Sequence, residues 1–179
     1  MMGHTHWIIG GASWLGVLAF AGTPSPAVAA GGFALASVAA LCNDIDTKNS
    51  MASKALGPVT GLISFTIRKL FGGHRKITHS LLGWALVTLT LFGCVSSLHL
   101  IPWIAIAVIV GWSSHIAADM LTKEGCPLLW PISKTNYGLH LVTTGLDKKR
   151  GHHTSEWWVI RPLAVLAVIG FSLMLMIGG

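Results

Sequence analysis

Charge is what this sequence has least of. Only 10% of its 179 residues are Asp, Glu, Lys or Arg, whereas a soluble domain carries about 25%. That leaves too little polar surface to solvate a globule of this size. Acidic residues are scarcest, six against twelve basic ones, and the formal net charge is +6. In a soluble protein such an excess would suggest nucleic acid. In a chain that is 53% hydrophobic it points instead to membrane topology and anionic lipid headgroups, and no nucleic-acid partner is expected. Three cysteines, Cys42, Cys94 and Cys126, are too few and too scattered for a disulfide framework or a thiolate zinc site. They read as reduced packing residues. There is no internal repeat or low-complexity tract, so residues 1–179 read as one membrane-embedded domain. Met1 to Trp7 contains no Lys or Arg, and a cleaved signal peptide is therefore not expected.

What is present is apolar length. Five stretches stand out: 7–21, 27–42, 81–100, 103–121 and 157–177. The last three have about the 20 residues a spanning helix needs. The first two are shorter, rich in Gly and Ala, and separated by Thr23-Pro24-Ser25-Pro26. They suit a tight spanning pair packed through small residues, with a re-entrant hairpin as the alternative. The expected fold is an all-α polytopic bundle of about five transmembrane helices.

Helix parity then sorts the connections. The Thr23–Pro26 and Ser96–Pro102 turns fall on one side and hold no Lys or Arg. Segments of about 43–80 and 122–156 fall on the other and hold eleven of the twelve basic residues, all but Arg161. The positive-inside rule makes that second side the cytoplasm, with the N-terminus cytoplasmic and the C-terminus periplasmic. Residues 56–71 mix apolar and polar positions and end in Arg68-Lys69. They suit an interfacial helix on the anionic leaflet or a short helix packed over the bundle.

The chemistry gathers on the cytoplasmic side. All six acidic residues and eight of nine histidines lie there, His99 excepted. His115 and Asp119, four apart in an apolar segment, share one helix face. An ionisable pair inside a span is costly and usually functional; imidazole plus carboxylate suits zinc, and a His–Asp bond gluing the bundle is the plainer reading. Asp44 and Asp46 close the second helix but point apart, one to ligate and the other to orient or bridge. His74-Arg75-Lys76-Ile77-Thr78-His79-Ser80 opens the third, with Thr78 or Ser80 as cap and Arg75 as a bidentate phosphate partner. His79 is the better ligand candidate there, ahead of His74. His152 and Glu156 form a second i, i+4 pair if that stretch is helical. His6, next to the first helix, could complete a site. His99 and His140 have no partner pattern.

These motifs have a familiar order: His6; Asn43-Asp44-Ile45-Asp46; His74-Arg75-x-x-Thr78-His79-Ser80-Leu81; His115-x-x-x-Asp119-x-x-Thr122-x-x-Gly125; Leu128-Leu129-Trp130-Pro131. From about residue 6 to 131 the chain resembles the YdjM-like family of bacterial inner-membrane proteins, to which metal-dependent hydrolysis is ascribed. It departs from the family at Cys42-Asn43, where members often have Leu-Pro. The family is distantly similar to the zinc-dependent phospholipase C and single-strand nuclease group, all-helical enzymes with zinc clusters held by His, Asp and Glu. The resemblance implies that His115, Asp119, His79 and one of Asp44 and Asp46 surround the metal, with His152 and Glu156 matching a later ligand pair. It also implies a phosphodiester substrate, a phospholipid or another membrane-associated phosphoester.

The resulting expectation is a membrane-bound metal-dependent hydrolase at the cytoplasmic face. Asp46, His79, His115 and Asp119 would hold one or two zinc ions, manganese being the other candidate. Asp44, His6, His74, His152 and Glu156 would be outer or additional ligands. Asp44 or Glu156 would act as base, and Arg75 would hold phosphate charge. Membrane lipids are the expected surroundings and the lipid or phosphoester the expected substrate. The rival is a non-catalytic metal-binding or regulatory membrane protein.

Overall fold

The computed structural model describes residues 1–22, 25–47, 50–71, 73, 75–99, 101–144, 146–147 and 152–177, without the side chains of 55, 56, 58, 60, 146, 147, 152 and 153. The fold is helical: α1 (Gly3–Ala21), α2 (Pro26–Cys42), α3 (Met51–Leu56), α4 (Pro58–Phe71), α5 (Leu81–Ser97), α6 (Pro102–Met120) and α7 (Arg161–Ile177). A 3-10 turn, Asn43–Asp46, prolongs α2, another, Ile77–His79, precedes α5, and a π-helical turn, Glu156–Ile160, leads into α7. Two two-residue strands, β1 (Leu146–Asp147) and β2 (His152–His153), pair antiparallel.

Among the described residues three helical stretches are long and apolar enough to cross a membrane: Pro26–Asp46, Pro102–Met120 and Glu156–Ile177. Leu81–Ser97 is apolar but shorter. α1 has 19 residues, yet His4, Thr5, His6 and four glycines dilute its hydropathy. It begins at Gly3, not near Trp7 as the apolar run suggests, so His6 lies inside the first helix. Residues 56–71 are likewise not one helix: Gly57, at φ +67°, separates α3 from α4. On α4, Val59, Leu62, Phe65 and Leu70 are exposed, while Ser64 is buried and donates to the Ile45 carbonyl. An apolar outer face with Arg68 and Lys69 in its last turn is the pattern of a helix lying along an interface.

Small residues set the packing. α2 lies against α1 and α6, α1 also meets α6 and α7, and α5 packs on α6. The Ala36 carbonyl of α2 is gripped from both sides: a Cβ at Gly10 would stand 2.7 Å from it and one at Gly111 2.1 Å. Hydrocarbon chains solvate apolar side chains as well as protein does, so helix association in a bilayer draws on such close backbone contact. Around this contact Trp14, Leu15, Leu18, Ala36 and Ala107 form the buried apolar cluster. The Trp14 indole donates to Ala29 O at 3.0 Å, which satisfies its only donor within the bundle.

Segment 122–144 folds back over one end of the bundle. Thr122 Oγ1 donates to Asp119 O at 2.7 Å, capping α6. Cys126 and Tyr137 exchange backbone hydrogen bonds, and Leu81 N donates to Leu128 O at 2.9 Å. Gly125 has φ +63°, and a Cβ there would lie 2.5 Å from the Tyr137 carbonyl. The spacing of Thr122, Gly125 and Leu128 behind Asp119 therefore has a structural cause: Thr122 ties the segment to the end of α6, Leu128 ties it to the start of α5, and Gly125 lets it close on its own Tyr137.

Candidate metal centre

The end of the bundle beneath that segment holds a buried group of imidazoles and carboxylates. His6, His79, His115, Asp46, Asp119 and Glu156 are at most 1% exposed. α6 supplies His115 and Asp119 one turn apart, α1 supplies His6, and the 3-10 turns before α3 and α5 supply Asp44 and His79. Two sets of ligand atoms, His6–His115–Asp119 and Asp44–His79–His115, each lie within 4.8 Å of one another. These buried His and Asp groups could hold a metal ion.

Geometry narrows the ligand set. His79 Nε2 is 3.1 Å from His115 Nε2, 3.6 Å from Asp119 Oδ2 and 3.7 Å from Asp44 Oδ1. His115 Nε2 is 3.7 Å from Asp119 Oδ2 and 3.8 Å from Asp44 Oδ1. Zinc–ligand bonds of about 2.0–2.1 Å place neighbouring ligand atoms of a tetrahedron about 3.4 Å apart. The five separations scatter around that edge length.

The hydrogen bonds behind the imidazoles decide which nitrogens face inward. His115 Nδ1 donates to the Ala40 carbonyl. His79 Nδ1 is 2.8 Å from Thr78 Oγ1, and Thr78 in turn donates to Asp46 Oδ2 at 3.3 Å. In that tautomer each ring spends its proton outward and presents an Nε2 lone pair inward. The two lone pairs face each other across 3.1 Å. A hydrogen bond between them would need a proton on one Nε2, as when Thr78 donates to His79 Nδ1 instead of accepting from it; in the outward tautomer a cation between them resolves the repulsion directly. Asp119 Oδ2, buried beside them, has no aligned hydrogen-bond donor. The donor set therefore fits a divalent metal.

Asp119 is the hub. Its Oδ1 lies 2.6 Å from the Met1 nitrogen and 3.2 Å from His6 Nε2, although the His6 contact lacks hydrogen-bond alignment. Its Oδ2 lies 3.1 Å from Arg75 Nη2. The His6 ring stacks on His115 with centroids 3.7 Å apart. Met1 N, His6, Arg75, His79 and His115 all stand within 4 Å of this carboxylate.

Several expected roles change in the structure. Asp44 stands beside the His79 and His115 imidazoles, in the place expected for Asp46. A 3-10 turn advances about 120° per residue, so the two carboxylates leave Asn43–Asp46 in different directions. Asp46 Oδ2 accepts from Arg75 N at 3.0 Å and from Thr78, which makes it the orienting member of the pair. Arg75, in the left-handed region at φ +58°, turns its guanidinium back onto Asp119 and Glu124 instead of leaving it open for phosphate. Burial lowers the Arg75 pKa, but Asp119, Glu124 and Asp44 outweigh it and the net shift is upward. Glu156 accepts from Met2 N at 2.6 Å. His152 lies in β2, so no single helix spans 152–156 and the helical pairing of His152 with Glu156 does not form. His74 lies outside the described residues.

Other residues fall away from the centre or join it unannounced. His4 and His99 are exposed; His140 is exposed too, its Nδ1 2.9 Å from Lys123 O. Burial, reinforced by Asp119, pushes the Cys126 thiol up to about 12, and its Sγ donates to Ile116 O at 3.7 Å. All three cysteines are free. Thr78, read from sequence as a possible cap, instead orients His79, while Ser80 Oγ caps α5 by accepting from Gly83 N at 3.1 Å. Glu124, which has no sequence pattern, holds Arg75. A hydroxyl directly before a ligand histidine was the available signal for Thr78; nothing local marks Glu124.

The family model described as YdjM inner membrane protein matches residues 1–177. Over 92 residues the chain is 42% identical to the Inner membrane protein YdjM of Escherichia coli (strain K12), and equally to the protein of that name from Shigella flexneri. The alignment covers 51% of this chain and 44% of each relative, so the match spans less than half the length of those curated proteins. No solved structure matches. With a family match running through the spans and the His/Asp cluster alike, the chain belongs to the YdjM inner membrane protein family.

Proposed function

We propose that this inner-membrane protein is a metal-dependent hydrolase of a phosphoester, with a phospholipid as the leading substrate class. The observation that carries the reading is the pair of outward-anchored imidazoles whose Nε2 atoms meet at 3.1 Å between two carboxylates. Asp44, His79, His115 and Asp119 would hold the ion, zinc first and manganese second. A bound divalent ion supplies a water of lowered pKa, from 15.7 towards roughly 7, and polarises a phosphoryl oxygen.

The chain's own groups account for the rest. Asp44 is the one candidate ligand whose side chain reaches solvent, at 21% exposure against 0% for His79, His115 and Asp119. Substrate and water would enter on its side, and its second oxygen is placed to take a proton. Arg75, 19% exposed at the same edge, would share its charge between Asp119 and an incoming phosphoryl group. Ala40 O holds the His115 imidazole in one tautomer, and Thr78 orients the His79 ring. In this reading Glu156 is not the base, because its carboxylate is buried and engaged with Met2 N.

A metal-loaded preparation is expected to hydrolyse a phosphodiester or phospholipid, to lose turnover in chelator, and to regain it with zinc or manganese. Metal-loaded protein inactive on all such substrates would favour the second reading, a structural or regulatory metal site. Four protein ligands can close a tetrahedron without an open position, and closed sites are structural.

The full topology belongs to the same proposal. α1 and α5, at 19 and 17 residues, fall within the length range of spanning helices and would complete five crossings. Charge asymmetry puts the centre at the cytoplasmic face. A reporter fused after Gly179 is then expected to signal from the periplasm. A cytoplasmic signal would overturn the five-helix count.

A further inference from the structure

Arg161 is the only basic residue outside the two basic segments, and the metal centre makes no use of it. It opens α7 beside α1. Its Nε donates to Thr5 Oγ1 at 2.9 Å, and its guanidinium carbon stands 4.3 Å from the centre of the Trp157 ring. Its Nη2 is buried with no hydrogen-bond partner, and no ion pair to Arg161 occurs among the described residues. A guanidinium at the edge of an apolar span without a counter-charge is costly, so an anion from outside the protein would relieve it. The position is close to the centre: Thr5 precedes His6, which stacks on His115.

A groove of about 540 Å³ lies between α1 and α7, lined from Ile160, the residue before Arg161, and from Ile9 on α1. Small residues open it, Ala12 and Gly16 on α1 facing Ala164 and Ala167 on α7, with Leu163 and Phe171 along its wall. Its lining carries no charge. On α7 it extends from Ile160 to Phe171, which at 1.5 Å per residue is about 16 Å. Half of a hydrocarbon core of about 30 Å is about the same depth. A cation without an ion pair among the described residues thus adjoins, through Ile160, one end of an apolar channel about one leaflet deep.

We infer that Arg161 and the α1–α7 groove seat one phospholipid, its phosphate on the guanidinium and one acyl chain between the helices. The seat deepens the hydrolase reading by placing a lipid phosphate beside the metal centre, and it rests on that reading only for the lipid's fate. Binding itself is independent of it.

The test is native mass spectrometry of the delipidated full-length protein in detergent, offered dioleoylphosphatidylglycerol or dioleoylglycerol. Wild type should retain one phosphatidylglycerol and at least fivefold less of the phosphate-free lipid. Arg161→Gln, and Ala167→Phe which fills the groove, should each lower phosphatidylglycerol retention at least fivefold, while Arg161→Lys keeps most of it. Equal retention by wild type, Arg161→Gln and Ala167→Phe, or equal retention of the two lipids, would overturn the seat. Metal content measured on the same samples separates the two ideas. Lipid retention without metal sinks the hydrolase reading alone, and metal without selective lipid retention sinks the seat alone.

Discussion

Asp119→Ala should unfold more readily than any other single carboxylate variant and should lose bound metal. The side chain is fully buried and receives Arg75 at 3.1 Å and His6 at 3.2 Å on different oxygens. Its removal strands the Arg75 guanidinium in a pocket where Glu124 is the remaining partner, itself 65% exposed. Breaking a buried pair from one side costs about 3–5 kcal/mol, because the remaining charge is left uncompensated. Arg75 is 19% exposed, so the lower part of that range is expected. Asp119→Asn preserves the shape and part of the hydrogen bonding, and should recover some stability without recovering metal. Chemical unfolding in detergent, paired with metal analysis, checks both parts. An Asp119→Ala protein as stable as wild type and still metal-bound would remove Asp119 from the centre.

Gly111→Ala should destabilise the bundle even though alanine is the better helix former. Alanine favours a helix interior over glycine by roughly 1 kcal/mol, so with open space around it the substitution would stabilise. At Gly111 the added Cβ would stand 2.1 Å from the Ala36 carbonyl, a backbone atom that cannot move aside without shifting α2. Overpacking of this kind costs about 1–3 kcal/mol and at times more, enough to reverse the sign. Gly31 is the control: it lies in α2 with nothing within 4 Å of its would-be Cβ, and Gly31→Ala should be neutral or stabilising. The same chemical unfolding assay in detergent reads both. A Gly111→Ala protein more stable than wild type would mean that α2 and α6 do not approach through Gly111.

The metal centre was partly written in local patterns. Periodicity alone pairs His115 with Asp119, since four residues along one helix is one turn, and the structure keeps them on one buried face. His79 is legible as a histidine beside a helix start. The choice between Asp44 and Asp46 is not, because it turns on whether the chain leaves Cys42 as a 3-10 turn and on where Arg75 and Thr78 arrive from 29 and 32 residues away. The fate of Arg75 is hidden for the same reason. Read alone it is an open phosphate ligand; in the fold its charge is taken by Asp119 and Glu124. His6 looked peripheral because the apolar run starts at Trp7, yet α1 starts four residues earlier and carries the ring under His115. The helices themselves follow from apolar length and small residues. The covering segment 122–144 has little regular structure and shows its order through the Cys126–Tyr137 pairing and its ties to α5 and α6.

Whether the centre holds a metal is decided most directly by elemental mass spectrometry of detergent-purified protein, wild type beside His115→Ala and His99→Ala. Near-stoichiometric zinc or manganese is expected in wild type and in His99→Ala, whose ring is exposed and remote in sequence from every ligand, with at least a tenfold loss in His115→Ala. No metal in wild type after incubation with divalent ions, or equal metal in all three proteins, would contradict the account and leave His79 and His115 as a hydrogen-bonded pair holding the bundle together.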